Sequence, residues 1–446
     1  MQNRNITCGR TGAGNISARQ MCRWHFNFFS MSKRLPDIFL FNPTCEFAVA
    51  NGRPSWQPNK LLRQMEKDLE LLLIFLAQPE DVLLVRELPP ENYLQKLRII
   101  GKTQPQFFPI QSVRDDVSFQ NLPKNRLRPW GWSPASHRLL EPLKESCSLD
   151  FQDSPVYRWK PEHKEICSRK FALEILKSIP SEISLSPALF PKICKTREDI
   201  EDCIARWGKI MVKAPWSSSG RGLQRVTKFP VIEKVWEKLL GIINEQGYAV
   251  VEPLLDKVLD MAFQFKITRG KIEYIGISRF FSDKKGQYQG NFLNGWNVAA
   301  SSGLFFSEIE PEIVQYAETL PEIFTPHLIK ALESSEFAQL YDGNFGVDIL
   351  IFRDENGELK VNPCLEINVR QNMGLLSLQF EKFVTPEKTA VFRTFYQPGK
   401  FFSEFVQEMK REFPLQVKDF RIDSGFFSLT PIREETLFGA YLLVAE

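Results

Sequence analysis

The stretch Gly343–Arg370, GNFGVDILIFRDENGELKVNPCLEINVR, decides how the rest of the chain is read. Two apolar runs flank Asn356-Gly357, a pair that favours the tight turn of a β-hairpin. Side chains alternate along a strand, so Glu366, Asn368 and Arg370 share one face, and Asp348 can join them from the paired strand. The flanks GVDILIF and CLEINV are apolar enough for core strands, and polar residues facing inward there cost free energy unless they bind something. Two carboxylates and an amide oxygen suit a hard divalent cation, Mg²⁺ first and Mn²⁺ as a substitute. The competing account is a solvated sheet face.

A second stretch works toward the same end. Val212–Gly222, VKAPWSSSGRG, begins as a strand, ends it with Lys213, and breaks into Ser217-Ser218-Ser219-Gly220-Arg221-Gly222. A lysine beside a loop of small residues, whose backbone N–H groups can point into one space, is what a polyphosphate needs. It is not a Walker loop, because the lysine precedes the glycines. An ordinary polar hairpin tip is the plainer account.

The rest of the chain bounds the class. At 446 residues, with 43% hydrophobic and 25% charged residues, two or three packed soluble units are expected. The apolar runs are too short for a membrane span. Residues 1–34 carry Arg4, Arg10, Arg19, Arg23, Lys33 and Arg34 and no acid, so the net charge of +3 leaves about −3 on the remainder. That excludes a global basic footprint for nucleic acid. The basic start is expected to be a disordered or non-native extension ahead of Met31, with a transit peptide as the alternative. Eight cysteines without a C-x-x-C pair and four scattered histidines suggest neither a disulfide scaffold nor zinc, which fits the cytoplasm.

Residues 35–158 alternate strand and helix as an open α/β unit would, with Trp130 and Trp132 as a buried aromatic wedge. Residues 159–375 read as two subdomains, and 376–446 as a small α+β cap. The order of parts over about Pro161 to Gly374 resembles the ATP-grasp superfamily, an α+β fold that closes a nucleotide between two subdomains. The residues carrying the resemblance are Lys170, Lys213 with its SSSGRG loop, Glu252 in VVEPLLD, Asp260, Asp348 and the run Glu366 to Arg370.

The resemblance implies that Lys170 and Lys213 hold ATP phosphates under a loop containing Ser218, Ser219, Gly220 and Gly222. Glu252, the Pro253 carbonyl and the Leu255 N–H would meet adenine, and Asp260 the ribose; the plainer account is that Glu252 and Asp260 end a strand or pair with a lysine. Asp348, Glu366 and Asn368 would be metal ligands, and Arg370 would neutralise the transferring group. Arg279 to Trp296 reads as a polar lid, with Arg279, Lys284 or Lys285 reaching the γ-phosphate; Arg279 is the expected second catalytic cation. Asn42, Glu46 and Asn51, after the first strand, either grip an acceptor or cap the following helix. Cys364 is expected to pack beside the site.

The implied activity is ATP-dependent ligation of a small-molecule or peptide carboxylate to an amine or thiol through an acyl phosphate. A small-molecule kinase and a non-catalytic ATP-binding regulator are the alternatives. The oligomeric state and the two substrates are not legible.

Overall fold

A computed structural model describes residues 34–183, 185–217, 222–283, 286–296 and 309–445. Three sheets organise them. The first is parallel, ordered β3-β2-β1-β4, from β1 (Ile38–Leu40), β2 (Val82–Val85), β3 (Gln106–Pro109) and β4 (Leu127–Pro129). Its strands are short and apolar because both faces are covered, the usual condition of parallel sheets. Trp130 follows β4 and is buried edge-on against Phe41, their rings 5.0 Å apart. Trp132 is half-buried and stacks on His137.

The second sheet is antiparallel, ordered β5-β8-β6-β7, from β5 (Lys192–Cys194), β6 (Ile210–Lys213), β7 (Leu223–Val226) and β8 (Ala249–Pro253). Ile210, Val212 and Val251 pack with Trp236, Leu239 and Ile243 of the helix Glu233–Gln246. Alternation therefore turns Met211, Lys213, Val250 and Glu252 to the other face.

The third sheet has nine antiparallel strands, ordered β13-β12-β9-β10-β11-β14-β17-β16-β15. The strands are β9 (Asp256–Thr268), β10 (Lys271–Ser282), β11 (Tyr288–Leu293), β12 (Gly343–Arg353), β13 (Leu359–Asn368), β14 (Ala390–Phe395), β15 (Gln416–Lys418), β16 (Arg421–Ser428) and β17 (Gly439–Val444). The β12–β13 hairpin turns at Gly357, with φ of 81°, and the β9–β10 hairpin at Gly270, with φ of 76°. One face is core: Phe263, Phe265, Phe345, Val347 and Ile349 cluster with Ile313, Leu320, Phe324 and Leu328 of the helix Pro311–Glu333.

Two details differ from the sequence reading. The stretch around Arg279 to Trp296 is sheet and not a lid: Arg279–Ser282 belong to β10 and Tyr288–Leu293 to β11, paired through Arg279↔Phe292 and Phe281↔Gly290. Its aromatic residues favour a pleated, half-buried surface over a loop. Lys284 and Lys285 lie outside the described residues, as do residues 1–33. The tail beyond residue 376 contributes β14 to β17, hydrogen-bonded onto β11 as a continuation of the central sheet.

Candidate nucleotide and carboxylate site

Opposite the apolar core, the β9, β10, β12 and β13 part of the nine-stranded sheet carries polar residues, among them Asp260, Gln264 and Ser278, while its β11, β14 and β17 part packs a second apolar cluster. Asp348 stands beside Glu366 across β12–β13 and Gly346 beside Asn368, while Ala262 pairs with Asp348 from β9. Asn368 Nδ2 donates to Asp348 Oδ1 at 3.0 Å. Burial and the neighbouring Glu366 carboxylate push the Asp348 carboxyl up to about 8. Two acids this close resist joint ionisation without a cation between them.

Arg370 closes the group. Its Nη2 donates to Asn368 Oδ1 at 2.8 Å, its Nη1 to the Gln371 carbonyl at 3.1 Å, and its Nε to Glu46 Oε1 at 2.7 Å. Burial opposes its charge, but Glu46 and Glu366 raise the guanidinium above its ordinary range. The N-terminal motif thus reaches the site through Glu46. Capping does not explain it: Thr44 is the N-cap residue of the helix Cys45–Asn51 and makes no side-chain cap bond. Asn42 Nδ2 instead holds the Gly131 carbonyl at 2.8 Å, and Asn51 is exposed.

Lys213 lies on the face of the second sheet turned away from its apolar core, its Nζ 2.6 Å from Glu252 Oε1. Both side chains are largely buried. Pro253 is buried and Leu255 half-buried at the junction into β9. Asp260, buried on the same face as Asp348, takes a hydrogen bond from Ser282 Oγ at 2.6 Å and pairs with Lys257 at 2.7 Å. Ser218, Ser219 and Gly220 fall outside the described residues, while the Gly222 carbonyl accepts from Ala214 N at 2.9 Å. Cys364 is buried beside the site, its thiol 3.5 Å from the Ala172 carbonyl.

Two expected cations are not brought to this group. Lys170 is half-exposed, 3.8 Å from Glu174 on the wet side of the helix Arg169–Ser178. Its neighbour Arg169 takes the inward position: Nη2 donates to Glu366 Oε1 and Oε2 at 2.8 and 2.9 Å, and Nη1 to Ser217 Oγ at 2.7 Å and to the Ala214 carbonyl. The signal was in the spacing, since Arg169 sits at i of the apolar stripe Ala172, Leu173 and Leu176, at i+3, i+4 and i+7. Arg279 alternates with Ser278 and Phe280, so it leaves β10 on the face opposite Asp348. Its guanidinium meets Glu381 at 3.5 Å and lies 5.6 Å from the Trp296 ring.

Among the described residues no three His, Cys, Asp or Glu side chains gather as a metal cluster. The donor set here is instead two carboxylates and one amide oxygen, the oxygen chemistry of a hard cation. Asp348 and Glu366 stand side by side, and burial together with the Glu366 carboxylate pushes the Asp348 carboxyl upward, a strain that such an ion would relieve. No described helix is long and apolar enough to cross a membrane.

No family model and no curated protein matches the chain. Solved structures do. Pyruvate carboxylase from Rhizobium etli aligns over 92% of this chain and 36% of its own, at 12% identity and a TM-score of 0.50. Biotin carboxylase from Campylobacter jejuni aligns over 93% and 88%, at 12% identity and a TM-score of 0.48. N5-carboxyaminoimidazole synthetase from Staphylococcus aureus, solved with ADP, aligns over 92% and 93%, at 14% identity and a TM-score of 0.45. The sheet architecture and the likeness to pyruvate carboxylase give the chain the ATP-grasp fold.

Proposed function

We propose that the chain is an ATP-dependent ligase that phosphorylates a substrate carboxylate and passes the acyl group to an amine or thiol. The observation that carries this reading is the half-buried polar group of Asp348, Glu366, Asn368 and Arg370 at the end of the β12–β13 hairpin, with the Lys213–Glu252 ion pair on the face of the second sheet turned away from its apolar core. In this reading Lys213 and Arg169 hold phosphate oxygens, Glu252 accepts from the adenine amino group beside the Pro253 carbonyl and Leu255 N–H, and Asp260 meets the ribose. Arg169, and not Lys170, takes the helix-borne phosphate role in this reading.

Asp348, Glu366 and Asn368 would hold Mg²⁺, or Mn²⁺ in its place, which when bound neutralises phosphate charge. Arg370 has five N–H groups and uses three on protein acceptors, so two remain for the oxygens of the transferring group. Positioning and electrostatics carry such a reaction, and no protein nucleophile is needed.

The test is ADP release that needs both a divalent cation and an added carboxylate. Glu366→Gln is expected to abolish it; an unchanged rate would sink the assignment. Calorimetry that detects no ATP binding at any magnesium concentration would overturn the reading altogether.

A further inference from the structure

Glu46 is the one carboxylate lining a small cavity between the helix Cys45–Asn51, the segment after β6 and the end of β13. The cavity measures about 20 Å³ and is bordered by Glu46, Arg370, Cys167, Ser217, Trp132 and Trp216. A space of roughly 10–15 Å³ holds one water-sized group, so this one admits the head of a small nucleophile and little more.

Glu46 is used on one side only. Oε1 accepts from Arg370 Nε at 2.7 Å, while Oε2 is buried with no hydrogen-bond partner. A buried carboxylate oxygen without a donor is costly unless a ligand supplies one. The other polar groups at the cavity wall do not compete as bases. Burial pushes the Cys167 thiol up to about 12 and the Cys45 thiol higher still. Ser217 already accepts from Arg169. Two indole rings on the wall favour a cationic head over an anionic one.

We propose, resting on the ligase reading, that Glu46 holds the incoming nucleophile as an ammonium group and takes a proton from it as it attacks the activated carboxylate, which makes the second substrate an amine. Arg370 bonds to Glu46 directly, so the amine at Oε2 stands beside the guanidinium whose free N–H groups would face the acyl phosphate. The ammonium gives one proton to Oε2. The nitrogen lone pair then forms the C–N bond, the bond from the acyl carbon to the phosphate oxygen breaks, and phosphate leaves with that electron pair. The second proton of the nitrogen goes to the departing phosphate, and Glu46 returns its own to solvent. A general base of this kind contributes about 10²–10⁴-fold.

The experiment compares wild type with Glu46→Gln in magnesium and ATP, using N-acetylated amino acids as carboxylates. Three nucleophiles are supplied in separate arms: ammonium chloride, methylamine, and hydroxylamine, which is uncharged at neutral pH and needs no base. The expected result is that Glu46→Gln loses amide formation by about 100-fold or more, a loss about 10 times or more greater than its loss of hydroxamate formation. The ammonium and methylamine arms separate ammonia from a primary amine as the source of the head. Amide formation unchanged in Glu46→Gln overturns the proposal. So does parallel loss of amide and hydroxamate in both Glu46→Gln and Glu46→Asp, which assigns Glu46 to holding Arg370 in place. Wild type that makes no hydroxamate with any carboxylate overturns the ligase reading itself, and the base with it.

Discussion

Arg169 grips both carboxylate oxygens of Glu366, at 2.8 and 2.9 Å, while its other terminal nitrogen reaches Ser217 at the start of the serine-glycine segment. One planar cation thus ties the helix Arg169–Ser178 to the β13 carboxylate and to the end of β6. A lysine cannot reproduce this, because it is a point charge without the guanidinium fork.

Arg169→Lys is therefore expected to lower ATP turnover by about 10-fold or more, since it loses the two-pronged contact worth roughly 1.5–3 kcal/mol. Lys170→Ala, which touches only the exposed Glu174, should stay within about 2-fold, as for an exposed ion pair. ADP release measured on both variants checks the pair, and equal losses would reverse the assignment.

Glu252 is expected to read the base of the nucleotide while it neutralises Lys213. Glu252→Gln should weaken ATP binding by about 10-fold, the cost of a hydrogen bond to a charged group. It should also narrow the preference for ATP over inosine triphosphate, which lacks the amino group. Calorimetric titration with both nucleotides measures this, and an unaltered preference would free Glu252 from that role.

Asp348 gives a pH dependence. Its folded carboxyl sits at about 8, above the ordinary 3.8, because burial and Glu366 disfavour the charge. The folded protein therefore keeps a proton that the unfolded chain releases. Stability from this group is fully present below about 4 and is lost as pH rises through about 8. Without metal, wild type should lose melting temperature across that window relative to Asp348→Asn. Magnesium affinity should move the other way, tightening with pH as the carboxylate ionises. Melting curves at stepped pH, with and without magnesium, show both.

Gly222→Ala tests how tightly the end of the serine-glycine segment is packed. An added Cβ would lie 2.3 Å from Ser217 Oγ, 2.4 Å from Ser217 Cβ and 3.0 Å from Ala214 Cβ. Overpacking of this kind costs about 1–3 kcal/mol. Because Ser217 is bonded to Arg169, the variant should lose nucleotide affinity along with melting temperature.

Much of this was legible where local pattern decides the outcome. The Asn356-Gly357 hairpin, the β6 strand ending in Lys213 and the face shared by Asp348, Glu366 and Asn368 follow from alternation and turn chemistry. Partners distant in sequence were not legible. Nothing near Glu46 announces Arg370, which lies 324 residues away. β14 is six residues with Arg393 among them, and its pairing with β11 cannot be read from either segment alone. The choice between Lys170 and Arg169 is one of helix phase, since basic neighbours on a helix differ only in which side faces the core. Arg279 reads as loop from its own segment, and its place in β10 rests on pairing with β9 and β11.

The junction of β11 with β14 also bears on how the chain is made. Ribosomes extend a chain by about 5–20 residues per second, and roughly 100 residues separate Leu293 from its partner Ala390. For several seconds the nascent protein holds Tyr288–Leu293 as a bare strand margin, which is a template for unwanted pairing. Chaperone dependence during synthesis should therefore end only as the final strands emerge.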